Sequence, residues 1–247
     1  MPRFFVPRES IFIKNEEKYI EIFGDDAHHI SHALRMTVGE KIEVCDFSSV
    51  VYTCELTEFN AQSVLAKVTD EKLSSSEPKN KITLYQALPK GDKMETIIQK
   101  TTECGVYKIV PFRSEFCVVK LDSKDGKKKQ QRWQKIAEAG AKQSGRGIIP
   151  EVTEPLDFKL AIEDAKKSSL VIFCNERETE KTLKEVLRDG GFTDIAVIIG
   201  AEGGFSQREA DFITESGASS ITLGKRILRC ETAPIFVLSS ISYETEM

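Results

Sequence analysis

The stretch IGAEGGFS, residues 199–206, joins a predicted strand to a predicted helix. The apolar run at 196–200 is typical of a buried strand, and residues 206–209 (SQRE) have the capping-box pattern that opens a helix. Glycines at the carboxyl end of a strand let backbone amides approach a ligand closely, and ligands of open α/β sheets bind at this edge. The stretch therefore predicts a strand–loop–helix unit with a binding loop.

The glycine spacing of this loop limits what it can bind. It matches neither GxGxxG nor GxxxxGK[ST], so a dinucleotide or triphosphate site is disfavoured. Glu202 is a carboxylate among backbone donors, an arrangement suited to a ribose hydroxyl or a cationic group. On this motif alone, a simple glycine turn with Glu202 facing solvent remains an equal alternative.

A second loop of the same kind is LGKRILRCETA, residues 223–233. It follows a predicted strand at 220–223 and leads into a predicted helix at 231–243. Its three cations beside apolar residues suit RNA phosphates, and Glu231 and Thr232 can cap the helix. An ordinary basic loop is the alternative, but two glycine-bearing strand ends in consecutive units are less expected by chance than one.

Outward from these loops, strands alternate with helices over 81–247, which predicts an α/β domain with a mainly parallel sheet. Further strands are predicted at 82–88, 108–112 and 170–174, and further helices at 92–104, 130–144, 182–188 and 206–216.

Residues 1–72 are predicted to be mostly β because short segments alternate with period two. One helix at 25–36 interrupts them, with Asp25 or Asp26 as its cap and with Ile30, Ala33 and Leu34 on one face. The serine, proline and charge content of residues 73–80 (LSSSEPKN) predicts a linker.

The predicted C-terminal helix is apolar around most of its circumference, so it must be buried on more than one side. A subunit interface is the favoured second surface, and a helix central to its own domain is the alternative. The residues concerned are Ala233, Ile235, Phe236, Val237, Leu238 and Ile241.

Composition restricts the protein classes further. The 35 basic and 39 acidic residues give a net charge of −4, so any nucleic-acid site must come from local basic clusters. Six cysteines without a CxxC pair, no signal-like segment and no apolar run of about 20 residues predict a reduced, cytoplasmic protein without a membrane segment. The basic run at 124–132 is either a solvated loop before a helix or a phosphate contact. His28, His29 and His32 lack further ligands, so no metal is predicted.

Five segments taken together have a recognisable pattern: HALRMTVG (32–39), PKGDKMETIIQKTTECG (89–105), WQKIAEAGAKQSGR (133–146), 199–206 and 223–233. They resemble the bacterial 16S ribosomal RNA uridine-N3 methyltransferases, which belong to the SPOUT class. The resemblance implies a PUA-like RNA-binding β-barrel at 1–72, the linker at 73–80, and an α/β domain with a parallel sheet and a C-terminal trefoil knot at 81–247. It also implies S-adenosyl-L-methionine as cofactor, a homodimer, and small-subunit ribosomal RNA within an assembled or nearly assembled subunit as partner.

The resemblance assigns roles to individual residues. Arg229 is the candidate that stabilises the anion developing on the uracil, and Glu202 is expected to contact the cofactor or accept a proton. The cofactor-binding candidates are Phe173, Ile199, Gly200, Glu202, Gly203, Gly204, Leu223, Gly224, Leu228 and Thr232. The RNA-binding candidates are Arg3, Arg8, His32, Arg35, Lys90, Lys93, Arg113, Arg146 and Arg226.

The chain departs from the pattern of these proteins at a few positions. Ala201 stands where proline is usual, Cys230 where threonine or alanine is usual, and GAK at 140–142 where AAE is usual. The competing hypotheses are a knotted methyltransferase for another RNA such as transfer RNA, a non-catalytic RNA-binding assembly factor, and a nucleotide-dependent oxidoreductase. The absent GxGxxG disfavours the last of these.

Overall fold

The computed structural model describes residues 1–119, 123–188 and 190–247, which divide into two compact units. The first unit consists of Met1–Glu77 and Ala141–Ile149, and the second of Pro78–Gly140 and Pro150–Met247. The sequence analysis assigned the segment Ala141–Ile149 to the C-terminal domain, whereas the structure groups it with the first unit. It is held there by contacts between residues far apart in sequence, such as the packing of Ala141 against Phe5 and Cys45.

The first unit is built on one six-stranded sheet with the order β1-β4-β5-β6-β3-β2. The β1–β4 pair is parallel and the other neighbours are antiparallel. Apolar side chains that alternate along the strands, among them Ile20, Ile22 and Ile42, are buried in one core. The strands are β1 (Arg3–Phe5), β2 (Ile11–Lys14), β3 (Glu17–Phe23), β4 (Lys41–Cys45), β5 (Val50–Phe59) and β6 (Ser63–Leu73).

The helical segment of this unit differs from the prediction. A short α-helix, α1 (Gly24–His28), continues into a π-helical turn at His29–Ala33, and no aspartate side chain caps it. Ile30 is buried, but Ala33 and Leu34 are exposed. A π turn has more residues per turn than an α-helix, so residues three and four positions after Ile30 leave its face. The predicted shared face was therefore wrong.

The second unit contains a seven-stranded, all-parallel sheet, which confirms the predicted α/β class. Its main path is β10-β8-β7-β12-β11-β13, and β9 pairs with β8. The strands are β7 (Lys81–Ala87), β8 (Lys108–Arg113), β9 (Glu151–Val152), β10 (Leu156–Asp157), β11 (Leu170–Cys174), β12 (Asp194–Ile199) and β13 (Ser219–Ile221). The helices are α2 (Lys93–Glu103), α3 (Ser123–Ser144), α4 (Phe158–Ala165), α5 (Leu183–Arg188), α6 (Gln207–Glu215) and α7 (Thr232–Glu246).

Strand β12 shows why its sequence is a continuous apolar run. Ile195 and Val197 face one core cluster, and Ala196 and Ile198 face another, so both surfaces of the strand are covered. Because the strands are parallel, the carboxyl ends of β7, β11, β12 and β13 lie at the same edge of the sheet. The loops that follow these strands are therefore brought together.

Two helices test the sequence predictions closely. The capping box at the start of α6 is present: the Glu209 backbone N–H donates to Ser206, and the Glu209 side chain accepts the Ser206 backbone N–H. Helix α3, in contrast, begins at Ser123, so the basic run at 124–132 is helical and is not a loop. Lysine and glutamine have high helix propensity. The loop was predicted from the run of like charges, and this propensity was not taken into account.

Candidate functional site

Three segments of the second unit enclose a cavity of about 700 Å³ at the carboxyl edge of the sheet. Two of them are the loops to which the sequence resemblance assigns the cofactor: the first cofactor loop (199–206) follows β12, and the second cofactor loop (222–230) follows β13. The third segment, residues 174–179, follows β11. Lys93 at the start of α2 and Ala233 in α7 complete the lining. The strand ends thus form the kind of crevice at which open α/β sheets bind ligands.

The first loop is a tight turn with no room for further side chains. Gly204 has a φ of +64°, and a Cβ placed on it would lie 2.9 Å from Oε1 of Glu176. A Cβ on Gly200 would lie 3.1 Å from the Phe205 ring. The backbone N–H of Gly204 donates to the carbonyl of Ala201 at 3.0 Å and closes the turn. At Gly200 and Gly204 this loop therefore presents backbone at the cavity, beside the side chain of Glu202.

The second loop is open. Gly224 has a φ of +101° with nothing within 4 Å of the position of a Cβ, and Ile227 is 84% exposed. At its end, the carbonyl of Arg229 accepts the backbone N–H groups of Thr232 and Ala233, both at 2.9 Å, in the first turn of α7. The Arg229 backbone is thus fixed while the residue itself is exposed at the cavity.

The third segment was missed by the sequence analysis. Arg177 donates to the Phe205 carbonyl at 3.2 Å and to Gln207 Oε1 at 2.6 Å, so this segment supports the first loop. Glu178 accepts three backbone N–H groups, from residues 179–181. The strand at 170–174 had been predicted, and its polar continuation NERE was the signal that a third strand end would meet the two glycine loops.

Lys93 lies between carboxylates from both cofactor loops. Its Nζ is 2.8 Å from Oε1 of Glu202 and 3.4 Å from Oε2 of Glu231. Burial opposes ionisation of Glu202, but hydrogen bonds from Lys93 and from the Lys90 backbone N–H outweigh it and hold the pKa below its ordinary value. The pKa of Glu231 is lowered in the same way, against burial, by bonds from backbone, Cys230 and Lys93. The hydrogen bond to Glu202 raises the pKa of Lys93, so all three groups are charged near neutral pH.

Cys230 adjoins this cluster. Burial, reinforced by the hydrogen bond to Glu231, raises the pKa of the Cys230 thiol to about 12. The group therefore stays protonated and donates to Oε2 of Glu231 at 3.2 Å. Although Cys230 stands where threonine or alanine is usual, its thiol still provides a hydrogen-bond donor at this position.

Most of the predicted cofactor residues line the cavity, and three do not. Phe173 is fully buried with its ring centroid 5.3 Å from that of Phe205, so it supports the first loop from below. Gly203 lies against Phe116, and Thr232 lies in the first turn of α7. The predicted residues that do line the cavity, together with both catalytic candidates, are Ile199, Gly200, Glu202, Gly204, Leu223, Gly224, Leu228 and Arg229.

Among the RNA candidates of the first unit, two hold the unit together. Arg146 is only 2% exposed and pairs with Glu77 at 2.5 Å. Arg3 pairs with Glu43 at 2.7 Å and donates to the carbonyl of Arg146 at 3.0 Å. The prediction of an RNA contact is therefore corrected for both side chains, because their hydrogen-bonding capacity is used inside the unit.

The other candidates of this unit face solvent. Arg8 is exposed, although its Nε lies 3.2 Å from Oδ2 of Asp46. His32 is exposed, and its ring stacks on that of His28 with centroids 4.2 Å apart. Arg35 is exposed with a φ of 52°. No group of histidine, cysteine and acidic residues that could hold a metal is present in the described part of the chain.

The RNA candidates of the second unit divide in the same way. Lys90 and Arg226 are exposed, and Arg226 stands at the cavity. Arg113 pairs with Asp157 at 2.8 Å. Lys93 lies in the carboxylate cluster with its side chain 30% exposed, and its RNA contact stays a prediction. Within the described residues, no helix is both long and apolar enough to cross a membrane.

Comparison with known proteins places this arrangement in a class. A sequence profile described as RNA methyltransferase domain matches residues 75–242, and one described as RNA methyltransferase PUA domain matches residues 23–69. The fold and site are thus those of an RNA methyltransferase with a PUA domain.

Relatives of known name narrow the class. The chain is 34% identical to the ribosomal RNA small subunit methyltransferase E of Bacillus subtilis, covering 100% of this chain and 98% of that protein. A structure of a protein of the same name from Neisseria gonorrhoeae, bound to S-adenosyl methionine, is 29% identical with a TM-score of 0.86 and covers 99% of this chain and 98% of that one. A methyltransferase from Legionella pneumophila with bound cofactor SAM is 30% identical with a TM-score of 0.84, covering 98% and 97%. The chain belongs to the ribosomal RNA small subunit methyltransferase E family.

Proposed function

We propose that this protein transfers a methyl group from S-adenosyl-L-methionine to N3 of one uridine in 16S ribosomal RNA, giving N3-methyluridine. The observation that carries the proposal is the cavity at the sheet edge, which is lined both by the glycine-containing turn of the first loop and by the loop that bears Arg229. Family membership and the cofactor named for the Neisseria and Legionella structures support it.

The residues of the cavity fit this cofactor. A volume of about 700 Å³ lies in the range of roughly 300–1,000 Å³ that is usual for small-molecule sites. Gly200 and Gly204 offer backbone where a Cβ would meet a neighbour, and Leu223 and Leu228 add apolar surface. These residues and Ile199, Glu202 and Gly224 would hold the cofactor, which supplies an electrophilic methyl group when bound.

The chain's own contribution to catalysis is positioning and charge. Uridine N3 must lose its proton, to solvent, before its lone pair can take the methyl group, and the cofactor would be left as the neutral thioether. Orienting the two reactants is worth on the order of 7–11 kcal/mol. Negative charge then develops on the uracil carbonyl oxygens, where the Arg229 guanidinium stabilises it. Glu202 serves the cofactor side of the site and does not take the proton, because a carboxylate with a lowered pKa that is already bonded to Lys93 is a weak base.

RNA binding is assigned to the PUA unit and to the rim of the cavity. Arg8, His32 and Arg35 are exposed on the first unit, and Lys90 and Arg226 on the second. We place the RNA-binding domain at 1–72 together with Ala141–Ile149, the linker at 73–80, and the methyltransferase domain, with a trefoil knot formed by its C-terminal part, in the rest of 81–247. A cytoplasmic location and an assembled or nearly assembled small subunit as substrate follow from the same proposal.

A homodimer is supported by helix α7. Val237, Leu238 and Ile241 are fully buried, whereas Phe236 is 42% and Tyr243 is 68% exposed. The exposed residues lie seven positions apart and therefore on one face of the helix. Phe236→Asp should convert a dimer to a monomer in sedimentation velocity, and Leu160→Asp, the same kind of change at a leucine of α4 that is 60% exposed, should leave the dimer intact.

Nucleoside analysis of small-subunit RNA from a strain without this protein tests the activity. N3-methyluridine should be absent from one position, return with the wild-type protein and fail to return with Arg229→Ala. If it persists in the deletion strain, this protein is not the enzyme. Loss of a modification from transfer RNA alone would favour the alternative substrate, and calorimetry without detectable S-adenosyl-L-methionine binding would favour a non-catalytic assembly factor.

A further inference from the structure

Helix α2 begins at a lysine that reaches both cofactor loops. The Lys93 ammonium contacts Glu202 of the first loop and Glu231, directly after the second loop, at 2.8 and 3.4 Å. It also lies 3.9 Å from the Sγ of Cys230, the last residue of the second loop. These two loops are separated by helix α6 and strand β13 in sequence, so one side chain connects parts of the site that the chain itself does not join directly.

The segment before α2 strengthens this connection. The backbone N–H of Lys90 donates to both carboxylate oxygens of Glu202, at 3.2 and 3.3 Å. Glu202 is therefore held by a backbone donor and by the Lys93 ammonium together. The side chains of Lys93 and Glu202 are each 30% exposed and that of Glu231 is 25% exposed, so the cluster is shielded from much of the solvent.

Lys93 offsets part of the negative charge of the cluster. The lowered pKa of both glutamates and the raised pKa of the lysine leave two negative charges and one positive charge. Removal of the ammonium would leave two carboxylates in repulsion across the two loops. Exposed ion pairs usually contribute little to global stability, so the expected effect is on the local order of the loops.

We propose that Lys93 is a positioning residue of the methyl-transfer site, whose ammonium holds the first and second cofactor loops in one register through Glu202 and Glu231. The inference rests on the proposed function for its consequence, whereas the contact itself is tested on the cofactor-free protein. It replaces the RNA-phosphate role that the sequence suggested for this lysine. Binding is tighter when a site is ordered beforehand, so the contact would favour the cofactor.

Hydrogen exchange of the cofactor-free protein tests the contact directly. Lys93→Met keeps the aliphatic stem and removes the charge, so amides in 199–206 and 222–230 should exchange roughly tenfold faster. Lys93→Arg should restore most of the protection. Lys100→Met, which removes a lysine paired with Glu103 on the same helix, is the matched control and should leave both loops unchanged. Equal exchange of both loops in Lys93→Met and wild type would overturn the proposal.

A second variant separates the two halves of the contact. Glu231→Gln removes only the partner from the second loop, so exchange should rise in 222–230 more than in 199–206. If circular dichroism shows that Lys93→Met does not fold, Glu231→Gln still tests the proposal. Exchange that rises equally across the whole second unit would indicate general destabilisation and would contradict a positioning role.

Calorimetry with S-adenosyl-L-methionine and kinetics with small subunits test the consequence. For Lys93→Met, the dissociation constant and KM for the cofactor should rise about tenfold, with kcat falling less and the salt dependence of RNA binding unchanged. Weaker RNA binding with unchanged cofactor affinity would instead restore the phosphate role and overturn the inference. Failure of the wild type to bind the cofactor would refute the proposed function. The exchange experiment would still test whether Lys93 orders the two loops.

Discussion

The two cofactor loops differ in how far their residues are buried. In the first loop, Ile199, Ala201 and Phe205 are buried, and the glycines between them leave no space for a side chain. In the second loop, the residues from Gly224 to Ile227 and Arg229 are exposed. The difference indicates that backbone shape determines what the first loop does, and that side-chain chemistry determines what the second loop does.

The two loops also depend on different supports. Beneath the first loop lie the Phe173 ring and the Arg177 guanidinium, and Gln86 Nε2 donates to the Gly200 carbonyl at 3.2 Å. The second loop is tied mainly at its ends, through Thr222 Oγ1 at its start and through α7 after Arg229. A substitution should therefore disturb the fold in the first loop and the reaction in the second.

The largest effect is expected from Arg229→Ala. Loss of a donor that stabilises a developing anion lowers kcat by about 10²–10³-fold, while cofactor affinity measured by calorimetry should stay within a factor of two or so. Arg229→Lys should recover part of the rate, since it keeps the charge and loses the planar pair of donors. If kcat of Arg229→Ala equals that of wild type, Arg229 does not stabilise the developing anion, and the chemical role proposed for the second loop is wrong.

Gly204→Ala should give the next largest effect and should act on folding and cofactor binding. A side chain at a φ of +64° costs of order 1–3 kcal/mol, and the new Cβ would also lie 2.9 Å from Glu176 Oε1. Urea unfolding should show reduced stability, and calorimetry should show weaker cofactor binding. Stability and affinity equal to those of wild type would contradict the steric description of the first loop.

Gly224→Ala provides the matched test in the second loop. Its φ of +101° lies where glycine is favoured, and nothing lies within 4 Å of the new Cβ. Backbone strain therefore acts alone, at a cost of order 1–3 kcal/mol, and the urea experiment should show the same loss of stability for Gly224→Ala and for the longer Gly224→Gln. A clearly larger loss for Gly224→Gln would mean that the second loop is as closely packed as the first.

The smallest effect concerns pH. Since the pKa of Glu202 and Glu231 lies below the ordinary 4.5 in the folded protein, their contribution to stability is complete above that value and is lost as pH falls through the lowered pKa. The melting temperature of wild type should therefore approach that of Glu231→Gln as pH is reduced below about 4.5. A gap between the two that is constant from pH 7 to pH 3 would contradict the ionised cluster.

The local signals of the sequence were sufficient for much of this structure. Alternating strands and helices indicated the α/β class, the pattern at 206–209 indicated a capping box that is present, and the glycines at 200–204 indicated a loop at a strand end, which lines the cavity. Each of these features depends on residues within a few positions of one another.

The remaining features depend on contacts that no local pattern encodes. The cluster around Lys93 joins α2 to residues more than a hundred positions later. Arg146 likewise pairs with Glu77, which lies in a distant segment of the chain. Both cations were predicted as RNA contacts because a basic residue outside an apolar run usually faces solvent. The π-helical turn at His29–Ala33 was missed because its hydrogen bonds leave no distinct periodicity in so short a segment.

Methyl transfer by the purified protein is the most direct test of the central claim that these two loops form an RNA uridine methylation site. Small subunits from a strain lacking the protein would be incubated with S-adenosyl-L-methionine labelled in its methyl group, and the RNA would be digested for mass spectrometry. The account predicts labelled N3-methyluridine at a single position with wild type, and almost none with Arg229→Ala. Label in another nucleoside, or no transfer to small-subunit RNA by wild type that binds the cofactor, would contradict it.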